Sequence, residues 1–238
     1  MATNKIGEKV KMHKTFWDNP YQQSLHTIVE SISGDEVLFK ETIIYSFSGG
    51  QESDSATVND IPVIGSRMDG AEIYYSLAPG HNLSIGSKVE MQINWPRRNK
   101  LMRLHFACEL ILVLLNRSFA DKKIGEELLP EEIDHVGIEK TGAHIAEDKA
   151  RIDFKLEQNI ANFFPAILSE YNQVIADNLA IETGFIDEHT QQRYWRIAGL
   201  ATVPCGGTHV KFTAEVGEVA LKRDRPGKGI ERIKITLV

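Results

Sequence analysis

The sequence predicts an α+β fold in two parts: a small antiparallel β-barrel over residues 1–94, followed by an α/β sandwich with an antiparallel sheet over residues 95–238. Three observations carry this reading. Short apolar runs alternating with polar residues, separated by turn residues and free of helical spacing, fill the chain up to about Asn94, which is the pattern of a barrel or sandwich. After Pro96-Arg97-Arg98 the period becomes helical, with Leu101, Leu104, Cys108, Ile111, Leu112 and Leu115 recurring on one stripe. The remainder returns to strand patterns interrupted by one further helix. A length of 238 residues fits two packed modules, and 42% hydrophobic residues is ample for their cores.

Taken in order, Met1 to Thr15 has no periodicity, and Phe16-Trp17-Asp18-Asn19-Pro20-Tyr21 reads as an aromatic turn entering the first strand. His26–Ile32 and Glu36–Tyr45 are β-rich runs joined by Ser33-Gly34-Asp35, and Ile61–Met68 and Ala71–Leu77 flank Asp69-Gly70, a strong two-residue hairpin signal. Val89, Met91 and Ile93 alternate in the last strand of this part. Asn99 then reads as the N-cap of a helix running to about Ala120. Gly125 to Asp134 is an acidic, polar connection. His135–Glu139, Ala143–Ala146 and Ala150–Leu156 read as strands, and Glu157–Asn178 as a helix with Pro165 either kinking it or lying in its first turn. Ala180–Phe185, Tyr194–Ala198, Val219–Lys222 and Ile230–Leu237 complete the strands. No internal repeat or low-complexity tract is evident.

The formal net charge of −6 argues against indiscriminate nucleic-acid binding, so any RNA contact must come from local basic clusters. Two exist: Arg97, Arg98, Lys100 and Arg103 before and inside the first long helix, and Lys222, Arg223, Arg225, Lys228, Arg232 and Lys234 near the C-terminus. The N-terminal residues contain no apolar run of signal-peptide length, and Leu110–Leu115 is too short to span a bilayer, so a soluble cytoplasmic protein is expected, with no membrane and no DNA partner. Only two cysteines occur, Cys108 and Cys205, which excludes a disulfide framework.

Two stretches concentrate metal-binding chemistry. Cys205 and His209 stand four residues apart across Gly206-Gly207, and His105 and Glu109 stand four apart on the predicted helix. Positions i and i+4 share a helix face with Cβ atoms roughly 5–6 Å apart, so both side chains can reach one ion. Thiolate, imidazole and carboxylate together make a donor set that zinc takes. Gly206 and Gly207 are expected to bend the loop by adopting positive φ. Cys108, at i+3 from His105, is a rival to Glu109 for the fourth position.

The run Cys205-Gly206-Gly207-Thr208-His209, the helical Arg103-x-His105, the stretch Gly49-Gly50-Gln51-x-Ser53-Asp54 and the closing Gly227-Lys228-Gly229-Ile230-x-Arg232-Ile233 together resemble the editing domain of alanyl-tRNA synthetase. More closely they resemble its free-standing relatives, the AlaX-type trans-editing proteins, from about Ile43 to the C-terminus. A chain of 238 residues leaves no room for the other synthetase domains, so a stand-alone editor is expected. The resemblance implies a barrel followed by a metal-binding editing domain that deacylates mischarged tRNA(Ala), Ser-tRNA(Ala) or Gly-tRNA(Ala) foremost. It implies one zinc ion per chain, the alanine-specific tRNA acceptor end as partner, and a monomer or weak homodimer. Carried over residue by residue, His105, Cys205 and His209 would hold metal, Gln51 and Thr208 would take catalytic parts, and Gly49, Gly50, Phe106, Gly206 and Gly207 would line the substrate. Arg97, Arg98, Arg103, Lys222, Arg223, Arg225, Lys228 and Arg232 would face RNA.

The chain departs from the family where His-Thr-Ala-x-His is usual and His105-Phe106-Ala107-Cys108-Glu109 stands instead. Glu109, Cys108 or a water thus compete for the fourth ligand position, with Glu109 favoured because it holds the motif position. Phe106 removes a hydroxyl that could pair with that of serine, so substrate choice is expected to move. Two other readings stay open on sequence alone: a non-catalytic RNA- or nucleotide-binding module, and a zinc hydrolase of a small ester or amide.

Overall fold

A computed structural model describes residues 12–120, 126–129 and 138–238. The fold is mixed α+β with mostly antiparallel sheets, and the chain divides into two compact units. The first comprises residues up to Ser46 together with Ser53–Asn94, and the second comprises Phe47–Glu52 together with Trp95–Val238. The six residues Phe47–Glu52 thus count with the second unit although their neighbours in sequence belong to the first.

In the first unit, β1 (His13–Lys14) and a single helical turn, α1 (Thr15–Asp18), precede β2 (Ser24–Ser33), β3 (Glu36–Phe39), β4 (Glu41–Thr42), β5 (Ala56–Val58), β6 (Ile61–Asp69), β7 (Glu72–Leu77) and β8 (Lys88–Ile93). Six of these pair in the closed order β2-β3-β7-β6-β5-β8, every pair antiparallel. The alternation seen in sequence is the inward face: Ile73, Tyr75 and Leu77 of β7 and Val89 and Met91 of β8 are all buried. Each aliphatic side chain so buried contributes about 1.5–3 kcal/mol. Glu36–Tyr45 is not one strand. After Phe39 the chain leaves its partner β2, and Glu41–Thr42 pairs in parallel with β1. The short strand Ala56–Val58, three residues long, gave no alternation long enough to read.

In the second unit, the helix α2 (Trp95–Ala120) starts four residues before Asn99, which lies inside it and caps nothing. Pro96 falls in the first turn, where a missing N–H breaks no helical hydrogen bond, so Arg97 and Arg98 are helical rather than a boundary. The helix is apolar nearly all round because it is enclosed, packing on α3 (Phe164–Ala176) and on the sheet strands β9 (Glu139–Ile145), β10 (Ala150–Lys155) and β15 (Ile230–Leu237). That sheet runs β14-β15-β10-β9 with β14 at Val219–Gly227, five residues longer than the expected Val219–Lys222. The pairing of Gly227 with Ile230 continues the ladder to the turn. A separate sheet orders β11 (Glu182–Asp187), β12 (Gln192–Ile197) and β13 (Ala201–Pro204). The expected Glu157–Asn178 helix is two pieces. The Asn159 carboxamide accepts from Ala161 N to start a 3₁₀ turn over Ile160–Phe163, and Pro165 then occupies the first turn of α3. β9 begins before the expected Ala143. The rest of the expected His135–Glu139 strand and the connection Gly125–Asp134 lie largely outside the described residues. Among the described residues no helix is long and apolar enough to cross a membrane.

Candidate metal centre

Three elements of the second unit converge on His105. It lies in α2, on a turn where Leu101, Met102, Leu104 and Phe106 are also buried, so the ring rides on a rigid, enclosed helix and is itself only 2% exposed. The loop after β13 brings Cys205 Sγ to 3.3 Å from His105 Nε2. The same loop brings the ring of His209 edge-on to that of His105, with centroids 5.0 Å apart. The donor atoms of His105, Cys205 and His209 lie within 4.8 Å of one another.

The opposite edge of the His105 ring is held by Gln51. Gly49 and Gly50 take φ of 58° and 90°, a left-handed pair that turns Gln51 back beside the end of β9. There Ile145 N donates to Gly50 O at 2.8 Å and Glu52 N to Ile145 O at 3.0 Å. A Cβ on Gly50 would stand 2.6 Å from Ala143 O, so only glycine allows this approach. Gln51 is fully buried, with its Oε1 2.5 Å from His105 Nδ1 and its Nε2 donating to Thr208 Oγ1 at 2.8 Å. Thr208 N returns a hydrogen bond to Gln51 Oε1 at 3.2 Å.

The glycines of the cysteine loop act differently from expectation. Neither Gly206 nor Gly207 has positive φ. Gly206 has open space where a Cβ would stand, whereas a Cβ on Gly207 would overlap the His105 ring, reaching 2.5 Å from Nδ1 and 3.0 Å from Gln51 Oε1. Gly207 is there for close approach, not for a turn.

Glu109 stands one turn along α2, with Oε1 3.7 Å from His105 Nε2 and Oε2 accepting from Trp195 Nε1 at 2.9 Å. Burial alone would raise its pKa, but the neighbouring His105 ring and the hydrogen bond from Trp195 outweigh it and hold the carboxyl ionised. Burial would likewise lower His105, yet the Cys205 sulfur and the Glu109 carboxylate raise it. His209 goes the other way: burial, reinforced by the charge on His105, depresses it, leaving a neutral ring. Burial pushes the Cys108 thiol up, a poor setting for a thiolate ligand. Phe106 forms the dry wall, its ring edge-on to Trp195 at 5.1 Å and to His209 at 6.2 Å. Trp195 was not singled out from sequence, because an inward-facing strand tryptophan is indistinguishable there from core.

The arrangement fits a metal ion. One sulfur and two ring nitrogens converge, and His209 Nε2 is buried without a hydrogen-bond partner, a costly state for a ring nitrogen unless something binds it. Zinc holds such donors at about 2.0–2.3 Å, which places them roughly 3.5 Å apart, so only small side-chain shifts separate this cluster from a ligand shell.

The basic residues divide sharply. Arg98 is fully buried, which removes it from any RNA-facing surface. Arg97 pairs with Glu52 at 2.7 Å and Glu147 at 3.1 Å, and Arg103 donates from Nε to Val216 O at 2.9 Å. Arg223 and Arg225 both pair with buried Glu231, and Arg232 with Asp153. Lys222 and Lys228 are exposed.

Residues 196–234 match the Threonyl and Alanyl tRNA synthetase second additional domain. The chain is 26% identical to the alanyl-tRNA editing protein AlaX-M of Pyrococcus horikoshii, over 94% of this chain and 97% of that one. It is 29% identical to AlaX-M of Methanosarcina barkeri, over 92% and 96% respectively. It also aligns at 25% identity to the alanine–tRNA ligase of Methanococcus aeolicus, over 93% of this chain but 25% of the ligase. Along nearly its whole length, the chain is therefore a relative of the AlaX-type alanyl-tRNA editing proteins.

Proposed function

We propose that this protein is a metal-dependent aminoacyl-tRNA deacylase that hydrolyses the ester of mischarged tRNA(Ala), with Ser-tRNA(Ala) and Gly-tRNA(Ala) as its substrates. The observation that carries the reading is the cluster of His105, Cys205 and His209 with an orphaned, buried His209 Nε2. Kinship with the alanyl-tRNA editing proteins supplies the substrate class. His105, Cys205 and His209 would hold one zinc ion, with Glu109 Oε1 turned to the fourth position and Oε2 kept on Trp195. A zinc ion in such a site polarises an ester carbonyl, orients a water or holds the substrate amine.

The chain's own residues shape the rest. Gln51 and Thr208 brace one another and the His105 ring, which keeps the loop and α2 in register. Phe106, where the family usually has threonine, offers no hydroxyl to a serine side chain, so the site relies on shape and dryness and tolerates glycine more readily than a hydroxyl-pairing site does. For the nucleic acid, Lys222 and Lys228, exposed like Arg225 but without its ion pair among the described residues, are the proposed phosphate contacts.

Elemental analysis of protein purified without chelator, with deacylation assays on seryl-, glycyl- and alanyl-tRNA(Ala), tests the reading. One zinc per chain and hydrolysis of the first two substrates are expected. Cys205→Ala should lose stoichiometric zinc and with it the activity. Wild-type protein that carries no metal and deacylates none of the three would overturn the proposal and leave a non-catalytic tRNA-binding module.

A further inference from the structure

Gln51 belongs to a stretch whose resemblance implied a hand in recognising the substrate, yet both polar atoms of its side chain are already hydrogen-bonded within the protein. The oxygen is identified by its neighbours. Thr208 N can only donate, so the Gln51 atom 3.2 Å from it is the carbonyl oxygen, and the other atom, 2.8 Å from Thr208 Oγ1, is the amide nitrogen. That same oxygen lies 2.5 Å from His105 Nδ1, and two acceptors cannot share a hydrogen bond. Nδ1 must carry the proton. In the neutral ring the lone pair then sits on Nε2, the atom that faces Cys205 Sγ at 3.3 Å.

We propose that Gln51 is a positioning residue: its carboxamide locks the His105 ring as the Nδ1–H form and aims Nε2 at the Cys205 sulfur and at an ion held beside it. The proposal rests on the metal reading for the ion but not for the ring. Partners on the distal nitrogen of a ligating histidine are what ordinarily fix its tautomer and orientation. Several otherwise separate features serve the lock. Left-handed Gly49 and Gly50 deliver Gln51 to the end of β9, the bond between Ile145 N and Gly50 O holds it there, and Gly207 leaves the ring and the Gln51 oxygen the space they share.

Nitrogen-15 NMR of histidine-labelled protein, read with zinc affinity by chelator competition, tests this in wild type, Gln51→Glu and Gln51→Leu. In the wild type, His105 should show a protonated Nδ1 and, with zinc, a metal-bonded Nε2. Gln51→Glu keeps an oxygen opposite Nδ1 and should hold both the proton position and the zinc affinity within a few-fold. Gln51→Leu should let the zinc-bound ring ligate through either nitrogen and weaken zinc about 10–100-fold. A neutral His105 protonated on Nε2 in the wild type, or a leucine variant matching the wild type in zinc affinity and proton position, would overturn the lock. So would a glutamate variant as weak as the leucine variant, since mere loss of packing would then account for both. A wild type with Nδ1 protonated but no zinc bound would support the lock on the ring while removing the metal reading.

Discussion

Gly207 lies where a side chain has no room, because the His105 ring and the Gln51 oxygen occupy the volume a Cβ would need. The neighbour that would have to yield is a ring clamped on one edge by Gln51, not the free end of a flexible chain. Gly207→Ala should therefore displace His105 or swing the cysteine loop away. Zinc occupancy should fall at least tenfold, and Gly206→Ala, with open space at its Cβ, should leave it intact. Metal content of the two variants purified side by side checks this, and equal occupancy would show that the loop has slack. The residue scale also shows why the cysteine loop was legible in sequence while its reason was not. Paired glycines between a cysteine and a histidine mark a special backbone, but whether the need is for positive φ or for close approach depends on what packs against it.

Among the secondary-structure elements, the described stretch of residues 126–129 is attached to β12 and β13 by hydrogen bonds. Leu128 exchanges them with Leu200 O and Thr202 N at 2.9 and 3.0 Å. Glu127 accepts from Arg196 at 3.0 and 3.1 Å, from Thr202 Oγ1 at 2.7 Å and from Gly199 N at 3.3 Å. Those donors, the Arg196 guanidinium first, hold its carboxyl down from 4.5 to about 2. A depressed folded-state pKa means stability that is present above the unfolded value and lost as pH falls, here between 4.5 and about 2. Glu127→Gln should lower Tm at pH 7 by a few degrees and narrow the gap between wild type and variant at pH 3. Calorimetric melts at the two pH values check it, and a constant gap would mean that the attachment is not electrostatic. None of these partnerships is visible in sequence, since Glu127, Arg196 and Thr202 are brought together only by the register of β12 on β13.

On the scale of the whole molecule, the proposed binding of RNA to a chain of net charge −6 would have to run through cations that its own carboxylates leave uncompensated. Lys222 and Lys228 meet that condition better than Arg223, whose guanidinium is spent on Glu231, itself 1% exposed. Lys222→Glu with Lys228→Glu should weaken tRNA binding and reduce the magnitude of its log–log salt slope by about 0.9 per lost duplex phosphate contact, with zinc content unchanged. Filter binding across a salt series measures it, and an unchanged slope would place the RNA on another surface. Reversing Arg223 instead would strand a buried carboxylate and confuse misfolding with lost contact.

The sequence by itself determined the α+β class, the Asp69-Gly70 hairpin between β6 and β7, the enclosed helix carrying His105, and the cysteine and histidine that join it. These are periodicities, turn chemistries and short spacings, all written within a few residues of one another. Only the tertiary structure decided that Arg98 is buried and Arg223 paired, that Trp195 holds Glu109, and that Gln51 turns its oxygen to His105. Each of those depends on side chains up to 157 positions apart, counting Gln51 to Thr208, meeting in one low-dielectric volume where every donor must find an acceptor. Local pattern names the groups that can do the chemistry, and packing assigns each one its partner.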